Sequence, residues 1–414
     1  MARDWLPGLI SDALDAQGFR RLGVAVSGGG DSVALLHLMR SWAKAQNVVL
    51  QAVTVDHGLR AAAADEAAFV ADICASLGIA HQTLRWDGWS GQGNLQDQAR
   101  RARYRLIGDW ATAQRLEAVA LGHTLEDQAE TVLMRLARSA GVDGLSAMQE
   151  QTARDGMIWL RPLLQASRAA LRIYLERGKI SWIEDPSNID PKFERVRMRA
   201  ALGQLEPLGI TPAGLSTIAR NMRGARDALG AQTNEALQRF GRVDAGALVI
   251  DRSALDVLPP EILRRLLTRA VAWINGDGYP PRHSAVSGAL NAARLGRDAT
   301  LEGCHLHPAK GALWLFRELK AAPPEKKLTA GRWDNRWDIE GPEAGCVVAP
   351  LGAQGLQECP EWRYLGRPYK VLLSSPAIWK DGNLVAAPFA GAANGWRVTL
   401  APGKDQVINA LLSH

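Results

Sequence analysis

The stretch Ser27-Gly28-Gly29-Gly30-Asp31-Ser32 gathers the groups that handle a phosphate. Three consecutive glycines permit positive φ and let an anion approach the backbone, and Ser27 and Ser32 add hydroxyl donors. A carboxylate in such a loop repels phosphates unless a divalent cation lies between them, so Asp31 asks for magnesium. The lysine-bearing loop G-x-x-x-x-G-K-[ST] is absent from the chain, and so is G-x-G-x-x-G, which removes the dinucleotide reading. These residues suit a magnesium nucleotide whose phosphates rest on backbone N–H groups.

Other reactive residues fall in short clusters. Val53-Thr54-Val55-Asp56-His57-Gly58-Leu59-Arg60 ends an apolar run, and Val55 and Asp56 are the nucleotide-contact candidates there, with His57 beside them. Gly122-His123-Thr124-Leu125-Glu126-Asp127-Gln128-Ala129-Glu130 offers an imidazole, three carboxylates and an amide. Acidic residues in a first helical turn routinely serve the helix dipole. His123 with Asp127 and Glu130 is richer than capping requires, and Asp127 and Glu130 share a helix face at three-residue spacing. Arg100 and Arg103 likewise share a face and are candidates to meet an anion, against the plainer reading of a solvated basic face. Arg195, Arg197 and Arg199 follow Asp185-Pro186-Ser187-Asn188 at spacing two, which surrounds a helix with charge rather than lining one face. At a domain edge such arginines suit a phosphate backbone; on a free helix they merely solubilise it.

The elements that must carry these residues alternate. Strand-like runs at Gly23–Val26, Val48–Val55, His81–Trp86, Ala118–Leu121 and Met157–Leu160 are separated by helical patterns such as Asp65–Leu77 and Gln96–Thr112. This order predicts an α/β fold with a doubly wound parallel sheet, whose ligands sit beyond the carboxyl ends of the strands. The clusters above follow strands or open the next helix, as that rule requires. This catalytic domain is expected over 1–210. A helical domain is expected over 211–297, with Arg220, Arg223 and Arg226 as a basic stripe on its first long helix. A small β-containing domain is expected over 298–414, where Pro308-Ala309-Lys310-Gly311 and Asp381-Gly382 mark hairpins.

With 414 residues, 47% hydrophobic and 22% charged, the chain reads as an ordinary multidomain globular protein. Net charge +6 and pI near 9.3 fit a polyanionic partner. Cys74, Cys304, Cys346 and Cys359 lack C-x-x-C spacing, which suggests neither a zinc site nor a disulfide framework. The first residues carry no apolar leader, so a cytoplasmic, reduced setting is expected.

Taken alone, Ser27-Gly28-Gly29-Gly30-Asp31-Ser32 resembles the pyrophosphate loop of the N-type ATP pyrophosphatases. Taken in order with Val-Asp-His-Gly-Leu-Arg, Ala-Arg-x-x-Arg-Tyr, Gly-His-x-x-x-Asp-Gln-x-Glu-Thr, Arg161-Pro162-Leu163-Leu164 and Asp185-Pro186-Ser187-Asn188, it is similar to the bacterial tRNA(Ile)-lysidine synthetases over roughly the first half of the chain. Glu126 stands where that family usually has Asp, and Val196 where Asn is usual. The resemblance implies an adenine nucleotide alpha hydrolase-like sheet, ATP and Mg2+, and two steps. The 2-carbonyl oxygen of the wobble cytidine in a CAU anticodon of tRNA(Ile) attacks the α-phosphate of ATP, and pyrophosphate leaves. The ε-amine of L-lysine then displaces AMP. Under this reading Ser27 to Ser32 cradle ATP, and Asp31 holds the metal. His123 and Asp127 join Asp31 in catalysis. Asp127, Glu130 or Glu126 holds lysine, and the five arginines of the two clusters meet tRNA. The alternatives are another pyrophosphatase of this class that modifies tRNA, one acting on a small molecule, or a nucleotide-gated RNA-binding protein with dead chemistry.

Overall fold

The computed structural model describes residues 5–58, 63–86, 95–184, 192, 194–276, 281–328 and 331–401. Its contacts divide the chain into two compact units, 1–226 and 227–414.

In the first unit the helices are α1 (Leu6–Leu14), α2 (Gly30–Gln46), α3 (Ala63–Ser76), α4 (Leu95–Ala113), α5 (Leu125–Leu136), α6 (Val142–Leu145), α7 (Arg168–Arg177) and α8 (Glu194–Leu205). The strands are β1 (Arg21–Ala25), β2 (Val49–Asp56), β3 (Ala80–Arg85), β4 (Ala118–Leu121), β5 (Gln151–Arg154) and β6 (Met157–Leu160). They form one sheet in the order β3-β2-β1-β4-β6-β5, parallel throughout except for β5. The chain therefore winds outward from β1 in both directions, and the β1/β4 gap is the switch point. The antiparallel β5 differs from the all-parallel expectation. Asp155 and Gly156, both at positive φ, make a two-residue turn that folds β6 straight back onto it.

Side chains alternate across the sheet with period two. Leu22 and Val24 of β1, with Ala118 and Ala120 of β4, join α1, α2 and α7 in one buried layer. Val119 and Leu121 face the opposite layer, where Tyr104, Ile107 and Trp110 of α4 pack. Gly23 lies under Trp110, and a Cβ there would stand 3.0 Å from the indole. Burial on both faces explains the uninterrupted apolar runs.

The second unit begins inside the long helix α9 (Pro212–Phe240). It contains β7 (Gly241–Asp244), β8 (Ala247–Asp251), α10 (Ala254–Val257), α11 (Pro260–Asn275), α12 (His283–Arg294), β9 (Ala299–Leu301), β10 (Cys304–Ala309) and β11 (Ala312–Arg317). An antiparallel sheet in the order β7-β8-β11-β10-β9 buries Leu248, Ile250, Leu306, Leu313 and Leu315 against α11 and α12. The boundaries expected at 210 and 297 thus do not coincide with the division of contacts. The apolar stripe of α11 needs a partner surface, and the strands on both sides of the expected 297 boundary supply it. Beyond lie β12 (Lys326–Lys327), β13 (Trp337–Glu340), β14 (Val347–Pro350), α13 (Gly352–Gln357), α14 (Tyr369–Leu373), β15 (Pro376–Lys380), β16 (Asn383–Ala386) and β17 (Arg397–Leu400). Lys310-Gly311 and Asp381-Gly382 take positive φ at the two expected hairpins. No helix among the described residues is long and apolar enough to cross a membrane.

Candidate active site

The glycine loop leaves β1 and enters the 17-residue α2 at Gly30. Gly28 has φ +87°, which a side chain would resist, and its carbonyl accepts from Ile183 N at 2.9 Å. Ser32 ties the loop: its Oγ accepts from Ser27 N at 3.1 Å and donates to Gly29 O at 2.9 Å. The turn after β4 presses on the same place. A Cβ on Gly122 would lie 3.1 Å from Ser32 Cα and 3.2 Å from Asp31 O, both backbone atoms that cannot rotate away. Gly122→Ala is therefore expected to cost about 1–3 kcal/mol by overpacking and to disturb any nucleotide site at the glycine loop by displacing Asp31. Thermal melting and nucleotide titration of the purified variant check both effects; unchanged values in both remove the contact's importance.

Beside the loop stands a charge hub. Arg168, the first residue of α7, donates through Nε to Asp31 Oδ2 (3.2 Å), through Nη2 to Asp127 Oδ1 (2.7 Å) and through Nη1 to Glu130 Oε1 (3.1 Å). Its backbone N–H is accepted by Glu126, 3.0 Å from Oε2. The second oxygen of Asp127 accepts from Thr124 N at 2.8 Å and Thr124 Oγ1 at 2.9 Å, which caps α5. Burial pushes the Asp127 carboxyl up, but Arg168, His123, Arg195 and the Thr124 N–H outweigh it and hold it below the usual range. Asp31 goes the other way. Burial raises it, Asp127 and Glu126 add repulsion, and Arg168 compensates only in part. Glu130 is fully buried, and its Oε2 has no partner among the described residues.

Facing the hub is a cluster of cations. Arg195 and Arg199, four apart on α8, point one way: Arg199 Nε donates to Glu130 Oε1 at 3.0 Å, and Arg195 Nη1 lies 3.5 Å from Asp127 Oδ1. Arg197, on the other side of the helix, donates to Lys192 O at 3.1 Å. Arg195 and Arg199, expected to meet tRNA phosphates, are an i,i+4 pair on the face that meets α5 and have carboxylate partners there. Arg103 donates to His57 Nε2, with Nη2 at 2.9 Å. His123 lies among Arg100, Arg161 and Arg195; burial first, then those charges, pushes its imidazole down to about 3, against the pull of Asp127. His123 is thus neutral at ordinary pH, and its Nδ1 has no partner among the described residues.

Residues 8–206 match the PP-loop domain family. The chain is 49% identical to the tRNA(Ile)-lysidine synthase of Ruegeria pomeroyi over 400 residues, covering 96% of each protein. The chain belongs to the tRNA(Ile)-lysidine synthase family. A Wolbachia pipientis wMel member is 35% identical, with 92% of this chain and 91% of that protein covered. Among solved structures, the U34-tRNA thiolase NcsA from Methanococcus maripaludis is similar over 53% of this chain and 77% of that one, with 17% identity and a TM-score of 0.46.

As a member of this family, the chain brings Ser27 to Ser32, His123, Glu126, Asp127 and Glu130 to the carboxyl end of the sheet around β1 and β4. Asp56 is placed at the end of β2, where its Oδ1 accepts from Gly58 N at 2.8 Å and shapes the turn; Val55 is the strand residue before it. Asp185-Pro186-Ser187-Asn188, Leu59 and Arg60 lie outside the described residues. Arg168 is the residue that sequence reasoning missed. Its signal was available: a cation at the first position of a helix opposes the dipole and needs carboxylates to offset it.

Proposed function

We propose that the chain ligates L-lysine to carbon 2 of the wobble cytidine of a tRNA(Ile) with a CAU anticodon, consuming ATP and releasing pyrophosphate and AMP. The observation that carries this reading is a carboxylate hub abutting a phosphate loop, in a chain nearly half identical to a curated family member along its length. The cytosine carbonyl oxygen is a poor leaving group, so it first attacks the α-phosphate and pyrophosphate departs. Charge developing on the phosphates is met by the N-terminus of α2 and by the Arg100, Arg161 and Arg195 field around His123. The residues fit Mg2+. Asp31 is an oxygen donor that burial has left short of positive charge, and Arg168 Nε already approaches it as a cation would. Held by Asp31, Mg2+ would supply charge neutralisation to the phosphates.

Glu130 is our assignment for the lysine ammonium. Asp127 spends one oxygen on its own helix cap and Glu126 accepts from the Arg168 N–H, whereas Glu130 Oε2 is buried and unsatisfied. A carboxylate there binds the ammonium and takes a proton as the amine becomes nucleophilic. His123, being neutral, serves as a hydrogen-bond partner at the reacting base rather than as a fixed cation. Arg100, Arg103 and Arg197 are assigned to tRNA phosphates, and the setting is assigned as cytoplasmic.

The test is AMP release from ATP, L-lysine and tRNA transcript, measured with each component omitted in turn. AMP release that does not need lysine or tRNA overturns the reading. For Glu130→Gln, losing a charged hydrogen bond of about 1.5–3 kcal/mol is expected to raise the lysine KM roughly ten- to hundredfold. Lysine-independent pyrophosphate release should stay within about threefold. An unchanged lysine KM moves the lysine site elsewhere.

A further inference from the structure

We propose that Asp298, His305 and His307 form a three-ligand site for a zinc-class divalent cation, on the face of the second unit's sheet beneath α14. The ligand atoms of these residues all lie within 4.8 Å of one another. Alternation along β10 puts His305 and His307 on one face. The register that pairs Thr300 with His305 and Ala299 with Leu306 carries Asp298, just before β9, to the edge opposite His307. Asp298 Oδ2 meets His305 Nε2 at 2.8 Å, and Oδ1 meets His307 Nδ1 at 2.7 Å. Tetrahedral zinc with bonds near 2.0–2.1 Å separates its ligand atoms by about 3.4 Å, so small side-chain rotations suffice.

The surroundings suit a cation. Lys370, in the first turn of α14, places its ammonium on Asp298 Oδ2, so a positive charge already sits against the carboxylate of the cluster and competes for it. His305 is stacked on Phe316, centroids 5.1 Å apart and 11° between planes, which fixes the ring from behind. The three groups are partly exposed, giving an entry path and a fourth position open to water. Two imidazoles with one carboxylate favour zinc-class ions over Mg2+, which prefers oxygen donors, so this site does not duplicate the role of Asp31. Metal binding requires each imidazole to turn a lone pair toward Asp298 and carry its remaining proton on the other ring nitrogen, with the Lys370 ammonium swung to solvent.

The test uses the full chain, stripped with chelator, titrated with Co2+ by visible absorption and with Zn2+ by equilibrium dialysis. The wild type is expected to take up one more ion per chain than a His305→Gln, His307→Gln double variant, with Co2+ bands of low coordination number. Lys370→Met removes the competing ammonium and keeps all three ligands, so its affinity should rise about tenfold or more. Zn2+ should also raise the melting temperature of the wild type and leave that of the double variant unmoved. Equal uptake by wild type and double variant overturns the site. So does a Lys370→Met protein, folded by its melting curve, that binds no more tightly than wild type.

Discussion

Asp31→Asn is expected to abolish pyrophosphate release, by about a thousandfold or roughly 4 kcal/mol of barrier, while leaving the protein as stable as wild type or more so. The two halves of this expectation come from one fact. Burial, with repulsion from Asp127 and Glu126, raises the Asp31 carboxyl above its ordinary value. A group whose folded pKa lies above its unfolded one costs stability at every pH above that folded value. The buried carboxyl therefore costs stability at neutral pH, as expected of a residue kept for the metal-holding role proposed for it. The amide keeps the shape and removes the repulsion, but cannot hold the cation. Stability given up for function is a recurrent pattern at active sites. The measurements are a burst of pyrophosphate from ATP and tRNA, and the melting temperature without nucleotide. Release within about tenfold of wild type removes Asp31 from the metal role, and a fall of several degrees shows that its ion pair with Arg168 outweighs its burial.

What could be read in the sequence was local. The loop at Ser27 to Ser32, strands such as Ala118–Leu121 and Met157–Leu160, and the hairpins at Lys310-Gly311 and Asp381-Gly382 are each specified by a few neighbouring residues. The hub was not legible, because its organiser joins residues 137 positions apart: Arg168 reaches Asp31 across the sheet's carboxyl edge. Arg195, Arg197 and Arg199 illustrate the same limit. Their spacing already separates Arg197 from the other two, yet nothing local says that the shared face of Arg195 and Arg199 meets Asp127 and Glu130. Likewise, α11 is plainly amphipathic in sequence, but the strands that cover it lie on both sides of a boundary drawn where helical patterns give way to strand-like runs. The antiparallel β5 had a cue in Asp155-Gly156, outweighed by the parallel pattern around it.

Arg168→Met should have the largest effect on stability in the first unit. Methionine keeps much of the volume of the stem, so the loss isolates the guanidinium. Without it, Asp31, Asp127 and Glu130 share a poorly solvated space with only Arg195 and Arg199 to offset them. Removing one partner from a buried ionic network costs about 3–5 kcal/mol, or a melting shift of roughly 10 °C for a unit of this size. The pH dependence distinguishes this cause from lost packing. Asp127 has a folded pKa below its unfolded one, so it contributes stability that is complete above about pH 4 and is lost as pH falls through the folded value. Taking away Arg168 removes the largest of the influences holding Asp127 down and leaves burial, which acts in the opposite direction. The gap between wild type and variant should then be widest near neutral pH and begin to narrow below about pH 4, as pH falls toward the folded value of Asp127 in the wild type. Melting curves from pH 3.5 to 8 read this directly. Arg168→Lys should recover part of the stability, since an ammonium supplies the charge, but little of the activity, since it cannot span three carboxylates at once. A deficit that stays constant across the pH range assigns Arg168 to packing and removes it as the organiser of the site.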